Sequence, residues 1–365
     1  MSANFELDKY LNDGIEDILR DMKKIALHNP SMSVFMIKFA LACKKAENKR
    51  KKADLKGEHI PPFLIASISS ACNLHCKGCY ARQNNICADD KSAYELSDSE
   101  WVSIFKQAVK LGISFILLAG GEPLLRRKLI ASAGKIKDIL FPVFTNGTLI
   151  DGEFIHMFSK NRNLVPIISI EGGEDVTDER RGDGVYETLL LSMDKLKKNE
   201  IIFGASITVT SKNIEQIASD IFMDEIYSKG SRIIFYIEYV PTDIHTINLA
   251  IDDAQRKFLE DRLVALREKF TDILFVSFPG DEKLSGGCLA AGRGFIHINS
   301  TGAAEPCPFS PYSDTNLRNI TLKKALSSPL FKKIRNTDVL TQEHTGGCVL
   351  FEHKDIVSSL AEENQ

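Results

Sequence analysis

Along the first fifty positions, apolar residues fall at three- and four-residue steps: Leu11, Ile15, Ile18, Leu19 and Met22. That spacing predicts a helix within a stretch that reads helical from residue 5 to 56, with a second segment running from Ser31 to about Ala46. The prolines of "HIPPF" at 59–63 end the pattern. Beyond them the period changes. Apolar runs of strand length at Phe63–Ser69, Ser114–Ala119, Phe141–Thr145, Val165–Ile170, Ala205–Thr210 and Arg232–Tyr239 alternate with helical patterns near 97–111, 124–139, 151–160, 185–199 and 213–229. Ser97 and Glu100 form a capping box for the first of these helices, and Gly112 stands where a glycine stop belongs.

Successive strand–helix units argue for an α/β fold of parallel strands covered by helices, either barrel-like or open and doubly wound. In such sheets ligands gather at the carboxyl ends of the strands. After about residue 246 the rhythm alters: 252–270 reads as one long helix, and glycines, prolines and the last cysteines cluster beyond 280. The expected division is a helical extension over 1–60, an α/β core over 61–245, a helical linker over 246–280 and a small α+β domain over 281–365.

The 365 residues suffice for a sizeable core, and 44% hydrophobic with 26% charged residues is ordinary for a globular protein. A net charge of −3 gives no general argument for a nucleic-acid or membrane partner. The start, "MSANFELDKYLNDGIED", is acidic and lacks the apolar stretch of a signal peptide. No apolar run is long enough to span a bilayer. The eight cysteines therefore suit a reducing, cytoplasmic setting, where thiols are more often metal ligands or packing residues than disulfides. Lys44, Lys45, Lys49, Arg50, Lys51 and Lys52 form a basic run, read first as a solvated helix end, with an anionic partner or membrane surface as the alternative.

Chemistry concentrates in "SSACNLHCKGCYAR", directly after the first strand, with Cys72, Cys76 and Cys79 spaced C-x3-C-x2-C. A structural zinc site uses four ligands, usually as two short pairs, and a disulfide framework uses even numbers. Three thiolates suit a metal cluster with one corner left open. The stretch "CNLHCKGCY" resembles the radical S-adenosylmethionine (radical SAM) superfamily. That resemblance implies a partial (β/α)6 TIM-like barrel, a 4Fe-4S cluster on Cys72, Cys76 and Cys79, and SAM bound through its amino and carboxylate groups at the open iron. Reductive cleavage would then release a 5′-deoxyadenosyl radical that abstracts hydrogen from substrate, fed by a low-potential donor of flavodoxin or ferredoxin type. The position before the third cysteine, often aromatic in the superfamily, is Gly78; Tyr80 follows it and is the candidate to pack near the adenine.

The second strand ends "FILLAGGEPLL". Gly120 and Gly121 let backbone approach a ligand closely, and Gly120, Gly121, Glu122 and Pro123 resemble the family's GGEP element, which binds the SAM amino group. By the same resemblance Ser169 and Glu171, in "ISIEGG", fall where relatives contact the ribose or methionine part. Of Arg180 and Arg181, position points to Arg181 as the partner of the SAM carboxylate. Tyr236 and Glu238 either face substrate or pack.

Near the C-terminus, "GFIHINS" alternates as a strand and "STGAAEP" supplies a turn, so a hairpin brings Cys288 and Cys307 together. The stretch resembles the C-x9–15-G-x4-C signature of SPASM and twitch extensions, which implies an auxiliary 4Fe-4S cluster with Cys348 as third ligand. The further cysteines of full SPASM are missing, so twitch is the better match. Cys87, Asp281, His344, His353 or water are candidates to complete the site; otherwise Cys87, like Cys43, is an idle buried thiol. The reading is a radical SAM oxidoreductase whose auxiliary cluster accepts an electron or anchors substrate. Its substrate is a small molecule or a peptide or protein, with ribosomal-peptide maturation as one alternative. The rival from another class is a non-catalytic scaffold holding zinc or iron–sulfur, with a zinc site at the triplet finished by His75 or a distant residue.

Overall fold

The computed structural model describes residues 7–26, 30–242, 244–279, 285–342 and 347–362. Two helices come first, α1 (Leu7–Ala26) and α2 (Pro30–Asp54). The strand–helix alternation follows: β1 (Phe63–Ser69), α3 (Tyr80–Gln83), α4 (Asp98–Leu111), β2 (Phe115–Gly120), α5 (Arg127–Ala133), β3 (Phe141–Thr145) and α6 (Gly152–Lys160). It continues through β4 (Leu164–Ser169), α7 (Glu174–Arg181), α8 (Val185–Lys198), β5 (Gly204–Val209), α9 (Ile214–Ile217), α10 (Asp220–Ser228) and β6 (Ile233–Glu238). The capping box at α4 forms as the sequence predicts: Ser97 Oγ accepts from Glu100 N, the Ser97 amide donates to Glu100 Oε2 at 2.7 Å, and Gly112 closes the helix at φ 95°. Helix α7 went unread because "EDVTDERR" carries one apolar residue and so shows no period.

The segment 246–280, expected to be a helical linker, needs correction. Helix α11 (Asp253–Lys269) leads to β7 (Leu274–Phe278), which pairs in parallel with β6 from Ile233↔Leu274 to Ile237↔Phe278. "LFVSF" alternates between two buried surfaces, Leu274 in the cluster at the barrel floor and Phe275 in the cluster beneath the helices. The C-terminal region also joins the barrel. Strand β8 (His297–Ile298) lies parallel to β1, with Ile65 opposite His297, and β9 (Ala304–Glu305) returns antiparallel to it. The result is a nine-stranded sheet ordered β7-β6-β5-β4-β3-β2-β1-β8-β9. Helices α12 (Leu322–Leu326), α13 (Pro329–Asn336), α14 (Val349–Glu352) and α15 (Lys354–Glu362) complete the described chain and share its main core.

Two apolar clusters divide the work. Beneath the helices, Leu64, Ala66 and Ile68 of β1 pack with Trp101, Phe105 and Leu129. At the floor, Met32, Met36 and Phe39 of α2 meet Phe115, Val165 and Ile233, which lie in the first halves of their strands. The N-terminal extension is therefore a plug in the amino end of the barrel. Each of those three side chains is at most 2% exposed, and such burial contributes about 2 kcal/mol apiece. Arg50 bolts the plug in place, donating to Gly112 O and Asn12 Oδ1. The opposite end, where the strands' carboxyl termini open, is left for chemistry.

Candidate functional site

The loop after β1 carries the first thiol trio, and several backbone bonds hold it. Cys72 N donates to Ala88 O, Ala88 N to Ser70 O, and Lys77 N to Arg180 O at 2.8 Å. Ser70 is fixed by Glu95, which accepts from its amide and hydroxyl; Glu95 is in turn paired with buried Arg126 at 2.8 Å. Arg82, which sequence reasoning did not single out, closes the loop from inside, donating to Cys72 O and Leu74 O and pairing with Asp89. An arginine three positions past a cysteine carries no period or motif, so only the fold reveals this role.

Gly78 adopts φ 67°, and a methyl group there would fall 2.5 Å from Tyr239 Oη. The space next to the third cysteine is thus filled by an aromatic ring from the end of β6. Tyr80 turns the other way. Its ring meets Phe309 edge-on with centroids 4.9 Å apart, and burial followed by the neighbouring Cys79 and Cys307 thiols raises its phenol pKa. Tyr80 therefore stands between the two ends of the chain that carry cysteines.

Where β1 and β2 leave the sheet, their backbones touch. Gly121 N donates to Ser69 O and Glu122 N to Ala71 O, both at 2.7 Å. A Cβ at Gly120 would lie 2.4 Å from Ser69 O, and one at Gly121 only 2.1 Å from Ala71 O, so both glycines are required by this approach. Pro123 opens the short 3-10 turn that follows. The Glu122 carboxylate is consumed internally: Oε1 accepts from Leu124 N and Thr145 Oγ1, and Oε2 from Asn146 N. Burial pushes its pKa up to about 7 despite those three donors. Asn146 passes the tether on, donating to Asn73 Oδ1 at 2.8 Å and reaching Cys72 Sγ at 3.9 Å.

The thiols themselves are tuned differently. A hydrogen bond from Cys87, then the Leu74 amide, Arg82 and Asn146, bring Cys72 down to about 6 against the effect of burial. Burial raises Cys76, opposed by Arg181 and Arg180. Arg181 lies 3.9 Å from Cys76 Sγ through Nη1, while its Nε and Nη2 grip Glu171 Oε1. Glu171 is fully buried and also accepts from Arg180 Nη1 and Thr208 N. Arg180 Nε is buried without a hydrogen-bond partner. Ser169 is half-buried at the end of β4, in register with Ser206 of β5. Tyr236 and Glu238 are packing residues, Tyr236 donating to Ile217 O and Glu238 pairing with Arg256 of α11 at 2.7 Å.

The hairpin assembles the second trio. Cys288 N donates to Leu340 O, Ala291 N to Pro306 O, and Gly302 makes the turn at φ 92°. Cys307 and Cys348 are hydrogen-bonded thiol to thiol, with Cys288 close enough to repel a charge on Cys307; together with burial this raises Cys307 well above its ordinary value. Cys87, weighed above as a ligand here, lies instead against Cys72. His353 Nε2 is buried without a partner, and Asp281 and His344 lie outside the described residues.

A buried hydrogen-bonded chain joins the hairpin to β1, and the sequence offered no hint of it. Ser67 Oγ meets His297 Nε2 at 2.7 Å, and His297 Nδ1 meets Glu305 Oε2 at 2.7 Å. Asn299 donates to the other Glu305 oxygen.

Among the described residues, no three carboxylate, imidazole and thiol groups converge on a point where one metal ion would sit. A single zinc ion would draw all its donors to within about 2.3 Å of itself. A cubane is held corner by corner by separate thiolates, and Cys72, Cys76 and Cys79 are free thiols on one loop. Residues 66–221 match the Radical SAM superfamily. The chain contains a radical SAM domain. Through that domain and beyond, it is 26% identical over 324 residues to the AdoMet-dependent heme synthase of Methanosarcina barkeri (strain Fusaro / DSM 804), covering 81% of this chain and 90% of that protein. It is 28% identical over 180 residues to the Fe-coproporphyrin III synthase of the same organism, covering 48% of this chain and 43% of that one. Among solved structures, Streptococcus suis SuiB bound to S-adenosylmethionine shares the radical SAM fold at a TM-score of 0.66 and 17% identity, over 80% of this chain and 72% of SuiB. SuiB has also been solved bound to its precursor peptide SuiA.

Proposed function

We propose that this chain is a radical SAM oxidoreductase with two 4Fe-4S clusters, acting on a small molecule in the cytoplasm. Cys72, Cys76 and Cys79 would hold the first cluster, and Cys288, Cys307 and Cys348 the auxiliary one. When bound and reduced by a flavodoxin- or ferredoxin-type donor, the first cluster supplies cleavage of SAM to a 5′-deoxyadenosyl radical.

The chain's own part is positioning. Gly120 and Gly121 keep the wall beside the cysteine loop free of side chains, leaving backbone groups for the SAM amino end. Glu122 does not reach a ligand with its carboxylate; it fastens β2 to β3 and, through Asn146, steadies the loop. The Arg180–Arg181 pair keeps positive charge beside Cys76, with Glu171 fixing its direction, and Arg181 is the candidate to meet the SAM carboxylate. Tyr80 separates the two thiol trios with an apolar, uncharged ring.

One observation carries the reading: the backbones after Ser69 and Gly120 are bonded to one another, so the cysteine loop and the GGEP turn form one rim. A small-molecule substrate is favoured because the relative that aligns along most of both chains is named for heme synthesis. Anaerobic reconstitution with iron and sulfide, then incubation with dithionite and SAM, tests the proposal. About eight irons per chain and formation of 5′-deoxyadenosine are expected. Zinc in place of iron, with no nucleoside product, would establish the scaffold instead.

A further inference from the structure

We infer that the outer face of α2 is a docking surface for an anionic phospholipid bilayer. The helix has two faces with different tasks. Met32, Met36, Phe39, Cys43, Ala46 and Arg50 are buried in the barrel floor. On the opposite side Val34, Ile37 and Leu41 leave 53%, 60% and 61% of their surface in water. Their three- and four-residue spacing makes them one stripe.

At the same helical phase the stripe continues as Lys45 and Lys52, with Lys38, Lys49 and Lys56 beside it, all exposed. Leu55, 89% exposed, ends it. No exposed aspartate or glutamate occurs between residues 30 and 57. Glu47 is turned inward and held by Lys44 and Lys51, and Asp54 is half-buried. Glu16 of α1 lies on the Lys44 flank, away from the stripe. On the other flank Lys49 reaches Val109 O of α4, and exposed Lys110 follows that residue, extending the positive field.

Branched aliphatic side chains next to a lysine cluster match the boundary between acyl chains and charged headgroups. A nucleic acid would use the lysines but not the aliphatic stripe. A second copy of this chain would bring the same lysines against themselves across a two-fold axis. The face lies at the amino ends of the strands, so a docked protein keeps its cysteine rim turned away from the lipid.

Co-sedimentation of the full chain with vesicles tests this. It should pellet with phosphatidylglycerol mixed into phosphatidylcholine, stay soluble with phosphatidylcholine alone, and be released by salt. The triple variant K45Q/K52Q/K56Q should lower the partition coefficient by roughly two orders of magnitude, at about fivefold per lysine. I37S/L41S should lower it as well, and both variants should keep the wild-type circular dichroism spectrum. Failure of the wild type to bind mixed vesicles at low salt would overturn the inference. So would unchanged binding by the triple variant, retention on poly(U) without vesicle binding, or a dimer in light scattering that I37S/L41S dissolves.

Discussion

The two thiol trios are built in opposite ways. Cys72, Cys76 and Cys79 sit half-exposed on one short loop, whereas Cys288, Cys307 and Cys348 are 5%, 1% and 6% exposed and come from three separated segments. The first trio is held by side chains from around it: Glu122 after β2, Asn146 after β3, and Arg82 of α3. The second is part of the main apolar core. A loop site can therefore lose its thiols and leave the barrel standing, while a core site cannot lose its own without cost to the fold.

The sharpest break of that comparison is Cys76→Ala set against Cys307→Ala. C76A should abolish 5′-deoxyadenosine formation, halve the iron content and leave the melting temperature within a few degrees of wild type. C307A should also halve the iron but retain the nucleoside product, and it should lose about 1 kcal/mol of stability from a buried side chain. Equal melting temperatures and equal loss of product would dissolve the distinction.

Gly121→Ala asks whether the loop trio depends on the approach of two backbones. A methyl group 2.1 Å from Ala71 O cannot be relieved by a side-chain rotation. We expect a loss of about 3 kcal/mol in chemical denaturation, with poor iron loading at the first trio alone. Glu122 links that trio to pH. Its carboxyl titrates near 7 in the folded chain against an ordinary 4.5. A raised acid contributes stability that is complete below 4.5 and is lost as pH rises through 7, so unfolding free energy should fall by up to roughly 3 kcal/mol across that window. Glu122→Gln should flatten the slope; an unchanged profile would remove Glu122 as its source.

The most local effect belongs to the joint between hairpin and barrel. His297→Ala leaves the buried Ser67 hydroxyl and one Glu305 oxygen without their partner and should cost about 2 kcal/mol. The damage should concentrate at the second trio, seen as faster hydrogen exchange around Cys307 than around Cys72. Uniform protection loss would place the joint in the whole core instead.

Much of the barrel was legible because its signals are local. Six strands, the capping box at Ser97, and the glycine stop at Gly112 all follow from short-range pattern. Strand β7 was missed because a five-residue run at the edge of a changed rhythm carries too little period to stand out, and α7 because a single valine is its only apolar residue and it faces the protein partly through arginines. At the rim, the cysteine spacing and the GGEP residues were visible as a string. Arg82, Tyr239, Asn146 and the Ser67–His297–Glu305 chain were not, since each acts on a partner far away in sequence or lacks any motif.

The alternation of apolar runs, their parallel order, and two sets of thiols at readable spacing follow from the amino-acid order alone, because backbone propensity and hydrophobic period act over a few residues. It took the folded chain to reveal that the first helices plug the floor, that the C-terminal hairpin extends the sheet along β1, and that Glu122 braces the rim from within. Those outcomes depend on which distant surfaces bury one another and on which buried polar groups find partners, and neither is written in any local stretch of chain.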